Sequence, residues 1–150
     1  MKKISLILLL LGFVPIIVGY LINIMIMVPV IGMSGFYLLP LLTTVFWFCL
    51  GKRCAHSTWK TVSAVFVAHI AGICSLLIYI WQFEFMTDET RNIALAAFSQ
   101  MFSASTPMYL FGVLIRPFEN AMLAMQIISL LYMMIVFTIA VVLEQRKKYK

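Results

Sequence analysis

The sequence predicts an all-α integral membrane protein: a bundle of four transmembrane helices, with an additional amphipathic or re-entrant broken helix on its outer face over residues 88–115. Three observations carry this. The 150-residue chain is 64% hydrophobic and 11% charged, whereas soluble domains carry roughly 25% charged residues. The charges stand in short clusters, and 4–51, 61–83, 92–115 and 120–143 contain none. An uncharged apolar stretch of about 18 residues or more is long enough to cross a bilayer as a helix. Finally, four spans put Lys2, Lys3, Lys52, Arg53, Lys60, Arg146, Lys147, Lys148 and Lys150 on one side, leaving Arg91 and Arg116 opposite. Basic residues collect on the cytoplasmic side.

The first uncharged run is too long for one span, since 48 residues (4–51) would extend roughly 70 Å as a helix. Pro29, Gly32, Ser34 and Gly35 mark the place where it folds back. The first span is therefore expected over 4–28 and the second over 36–50, with Pro40 near the second one's start, where proline is tolerated. Lys2 and Lys3 before an apolar run resemble a secretory leader, but the run outlasts the usual 7–15 residues, so an uncleaved helix is expected. The third span covers 61–83 and the last 121–143.

The stretch 92–115 is interrupted by Ser103, Ser105, Thr106 and Pro107, which points to two short helices and a kink. Asp88 is placed to cap its start. A fifth span here would carry the basic C-terminal tail outside, against the charge rule. The loop 84–120 is thus expected on the outer face, with both termini cytoplasmic. Trp47 and Trp59 at the inner side, and Tyr37, Tyr79 and Trp81 at the outer, are expected at the interfaces.

These features make residues 1–150 a single membrane domain with no room for a soluble catalytic module. The net charge of +6 sits beside the hydrophobic segments, so its expected partner is anionic lipid at the cytoplasmic face rather than nucleic acid. Cys49, Cys54 and Cys74 are odd in number and give no disulfide framework. Cys49, Cys54 and His56 lack a zinc spacing and a fourth ligand. No metal or cofactor is implied.

Two small-residue faces stand out. Gly12, Pro15, Gly19 and Asn23 share one face of the first span, and Ala64, Ala68, Gly72 and Ser75 one face of the third. Such faces let membrane helices approach closely. His69 is the one imidazole inside a span, and a helix-bridging hydrogen bond to Asn23 or Gln126 would satisfy it. Asn92, Ser99, Ser103 and Thr106 form a thin polar stripe on the outer segment, suited to the interface or to lining a cavity.

No span holds Asp, Glu, Lys or Arg, so carboxylate-driven proton antiport and aspartyl proteolysis lack their groups; no Ser–His motif or glycine-rich phosphate loop is present. The leading expectation is a non-enzymatic membrane protein working through helix–helix contacts, as a homo-oligomer or an accessory subunit of a larger transport complex. The alternative is a small transporter or channel, with Asn23, His69, Gln126, Asn92, Ser99, Ser103 and Thr106 along its path. Its solute would be neutral or weakly polar, for want of a fixed charge. A membrane enzyme using His69, Glu84, Asp88 or Glu89 comes third.

Overall fold

Apolar periodicity without strand-forming alternation gives an all-helical chain. The computed structural model describes residues 2–26, 28–56, 60–107 and 120–147, with the side chains of 2–6, 26 and 29–37 left aside. Its helices are α1 (Lys2–Gly12), α2 (Val14–Ile26), α3 (Pro29–Cys54), α4 (Thr61–Ala68), α5 (Ile70–Ile80) continued by a π turn (Trp81–Phe85), α6 (Ile93–Ala104) and α7 (Ala121–Lys147). Among the described residues, Ile7–Met25 and α7 are each long and apolar enough to cross a membrane. The segments Thr61–Ala68 and Ile70–Phe85 form a third candidate, bent by 54°.

The expected boundaries change in three places. Residues 29–35 do not break the chain: α3 starts with Pro29 in its first turn and runs on through Gly32, Ser34 and Gly35. Proline in a first turn lacks only an N–H that has no helical partner anyway. The reversal falls before it, at an extended Val28. Pro40 consequently stands inside α3 rather than near a start. The first span is interrupted at Phe13, because Pro15 has no N–H to donate to Leu11 and its ring crowds that carbonyl. Phe13 N bonds instead to Leu10 O at 3.1 Å, a tighter turn. The third span bends at His69, the residue between α4 and α5.

α7 packs most extensively on α3, and α6 is held between α2 and α5. Glycines permit these approaches. A Cβ on Gly12 would meet Ala68 O at 2.5 Å, one on Gly51 would meet Phe137 O at 2.6 Å, and one on Gly72 would meet the Phe102 ring at 2.6 Å. Gly19 lies directly against the Met101 backbone. Ala64, Ala68 and Ser75 are buried in the same interior. Both small-residue faces thus join helices of one chain. The outward faces carry bulky residues such as Ile17, Leu41, Val45, Phe66, Leu77, Leu131 and Ile135. That distribution, apolar outside as well as inside, suits lipid as solvent.

The segment expected on the outer face is an integral part of this packing. Its helix begins at Ile93 and ends at Ala104, and the residues 108–115 lie outside those described. Trp59 and the Tyr37 side chain also lie outside them. Trp47 is wholly buried in the core and Tyr79 is buried, while Trp81 is exposed.

Candidate functional site

The end of the molecule that holds the α5–α6 connection is organised by Gln82. It lies in the π turn, fully buried. A π turn inserts one extra residue and redirects backbone groups that a plain α-helix would engage. Gln82 Oε1 accepts from Asn92 N at 2.8 Å, and Gln82 O accepts from Arg91 Nε at 2.9 Å. One residue thereby fixes both the loop and the start of α6. The cap of α6 is Asn92, whose Oδ1 accepts from Ala94 N and Leu95 N, both at 3.1 Å. Asp88 does not cap; its carboxylate pairs with Arg91 Nη1 at 2.8 Å. The Arg91 guanidinium also lies over the Phe83 ring, 4.6 Å from its centroid, and Phe83 stacks on Tyr79 at 4.5 Å.

In the polar stripe Asn92 is exposed, whereas Ser99, Ser103 and Thr106 are buried with their hydroxyls internally satisfied. Ser99 Oγ donates to Ala96 O at 2.6 Å, Ser103 Oγ to Gln100 O at 2.9 Å and Thr106 Oγ1 to Ser103 O at 2.6 Å. Ser75 Oγ donates across to Ser99 O at 2.7 Å, tying α5 to α6. Serine and threonine hydroxyls can return to a preceding carbonyl in this way, which permits their burial against apolar neighbours.

Between α2, α6 and α7 lies a cavity of about 710 Å³. Tyr20 and Asn23 line it from α2, Gln100 and Ser103 from α6, and Met122 and Gln126 from α7, with Phe83 and Arg91 also in its lining. Its volume is that of a small-molecule site, typically about 300–1,000 Å³. Three of the residues singled out from sequence, Asn23, Ser103 and Gln126, therefore meet at one place. Asn92, Ser99 and Thr106 do not line it. Gln126 is 5% exposed, and its carboxamide bonds to no described residue. Tyr20, Gln100 and Arg91 were not singled out. The signal for Arg91 was available: it is the first charge before an uncharged run and it directly precedes the α6 cap.

His69 belongs to a second, separate group in the bundle core. It bridges neither Asn23 nor Gln126. Its ring stacks on Trp47 with centroids 4.2 Å apart, and Phe137 meets it edge-on at 5.5 Å. Nδ1 lies 2.9 Å from Val65 O. That oxygen can only accept, so Nδ1 carries a proton. Nε2 makes no hydrogen bond of good geometry, with the Met133 backbone as its neighbour. The bend at His69 follows from this: its ring is held in the core between α3 and α7, turned back on the carbonyl one turn earlier.

The opposite end carries charged pairs of its own. His56 Nε2 lies 3.6 Å from Glu144 Oε1, Lys147 Nζ 3.5 Å from Glu144 Oε2, and Gln145 Nε2 donates to Thr61 Oγ1 at 3.4 Å. At the start of α7, Asn120 Nδ2 donates to Glu84 Oε1 at 2.8 Å. Among the described residues, α7 thus separates an end rich in basic residues from the end that holds Glu84, Asp88, Glu89 and the cavity. No protein family, curated protein or solved structure matches this chain.

Proposed function

We propose that this chain is a multi-pass membrane protein that takes up a small polar solute from the outer side, as a small transporter or solute-binding protein. The cavity between α2, α6 and α7 carries the reading, because Asn23, Gln100 and Gln126 present carboxamides there that no described residue engages. Of the three, Gln126 is buried, Gln100 is half-buried and Asn23 is exposed; a buried amide normally has a partner, and a solute supplies it for Gln126. Purified protein in liposomes should bind or pass a polar solute, and Gln126→Leu should reduce this several-fold. Absence of binding and flux across a broad solute panel would overturn the reading. The oligomer or accessory-subunit reading rested on small-residue faces that here join helices within the chain.

The same proposal includes the topology. α3 has 26 residues, roughly 39 Å of helix, against a hydrocarbon thickness of about 30 Å. With α3 counted, the spans are four, both termini face the cytoplasm and the cavity opens outward. Each Lys or Arg near an anionic inner leaflet contributes on the order of 1 kcal/mol, and the basic end of α7 gathers Lys52, Arg53, Lys60, Arg146 and Lys147. On a background lacking Cys49, Cys54 and Cys74, a cysteine at Thr87 should react with an impermeant thiol reagent in intact cells. One at Lys147 should react only after permeabilisation. Labelling of both in intact cells would reverse the C-terminus.

A further inference from the structure

Arg91 changes the chemistry expected of the cavity. Among the residues that line it, Arg91 is the one with a formal charge. The expectation of a neutral solute rested on the lack of a fixed charge, and that lack does not hold at this site. The guanidinium is positioned from three directions: Nε on Gln82 O, the plane over Phe83, and Nη1 on Asp88. Gln82 is itself fully buried and its side chain holds the start of α6. The cation is therefore placed by the fold rather than left on a free tether.

Its one ionic partner among the described residues is a weak competitor. The Asp88 side chain is 91% exposed, against 25% for Arg91. A solvated ion pair of this kind contributes little, so an incoming anion can share or replace it. Arg91 Nη2 has no partner among the described residues. Planar guanidinium donors match a carboxylate with two parallel hydrogen bonds. The same cavity is lined by the amides of Asn23, Gln100 and Gln126, which no described residue engages and which both donate and accept. Ala96, Ala97 and Met101 add an apolar surface to the same lining.

We infer that the cavity binds a small organic anion: one acidic group on Arg91, amide or hydroxyl groups on the three carboxamides, and a short apolar body against the alanines of α6. This rests on the reading of the cavity as a solute site. The acidic group could be that of a free acid or of a lipid headgroup at the outer leaflet, since a carboxylate and a phosphate ask for the same donors.

The test is calorimetric titration of the intact protein in phosphatidylcholine nanodiscs. The probes are a panel of short carboxylic acids with amide or hydroxyl substituents, acetylglycine among them, each paired with its neutral primary amide. The acids should bind at least about tenfold more tightly than their amides, the usual weight of one charge-assisted hydrogen bond. Arg91→Gln should abolish that preference, and Arg91→Lys should keep part of it. Unchanged melting of both variants excludes unfolding as the cause. Gln126→Leu should weaken acids and amides alike. Equal binding of acid and amide, with loss of both in Gln126→Leu, would overturn the anion claim and leave the solute site standing. No binding by any probe would overturn both. Repeating the titration in phosphatidylglycerol nanodiscs separates the sources: a fall in acid affinity that Arg91→Gln removes supports the anion site with lipid as its occupant.

Discussion

Gly19→Ala should be among the most damaging single substitutions in this protein, although it adds one methyl group. A Cβ built on Gly19 would stand 2.7 Å from the Met101 carbonyl carbon and 3.0 Å from its Cα, with the Met101 oxygen nearer still. All three are backbone atoms, so no rotamer change relieves the clash. α2 and α6 must separate. Overpacking of a tight interior costs about 1–3 kcal/mol and occasionally more, and a backbone obstacle places this case at the upper end. The same change at Gly72 meets the Phe102 ring at 2.6 Å, a side chain that can turn aside. Melting of the two variants in one detergent should therefore rank Gly19→Ala well below Gly72→Ala. The reverse order would mean that α2 and α6 do not touch at this point. Because Asn23 lies one turn beyond Gly19 and lines the cavity, Gly19→Ala should also weaken any solute bound there.

His69→Ala should destabilise the bundle by about 3 kcal/mol, the lower end for deleting a large buried ring. The imidazole is fully buried between Trp47 and Phe137, joining α3, the α4–α5 bend and α7 at one level. His69→Phe should be close to neutral. It keeps a ring in the stack and removes the Nε2 atom that lacks a hydrogen bond. Val65 O still accepts from the His69 backbone N at 3.1 Å. Deleting an unsatisfied buried polar atom without leaving another is nearly free of cost. Thermal melting of both variants gives the comparison. Equal damage from alanine and phenylalanine would show that the imidazole nitrogens themselves are bonded in the core, and would return His69 to the list of groups that act on a solute.

His69 shows where residue-level reading stops. An imidazole inside an apolar run is visible in the sequence, as is its need for partners. Which partners it finds depends on how α3 and α7 are rotated against the bend, and Trp47 was expected at the interface rather than in a stack on His69. Helix rotation is set by the whole contact surface and leaves no local mark. The same holds for 29–35, where proline and glycines read as a break. Proline is equally at home in a helix's first turn, and only the packing of α3 along α2 and α7 decides between the two. For the cavity, Asn23, Ser103 and Gln126 were legible as polar residues in apolar surroundings. Arg91 was legible as a charge at a segment end, but not as part of a wall.

By itself the sequence determined the solvent and the materials. Long uncharged apolar runs require helices in lipid, because backbone groups there must bond internally, and glycine faces mark where helices can meet. Only the tertiary structure decided which helices those faces join, that α6 packs between α2 and α5, and that Arg91 and Gln126 line one cavity. Periodicity specifies the face of each helix to be covered. It does not specify what covers it, since that contact is between residues far apart in the chain and is chosen by shape.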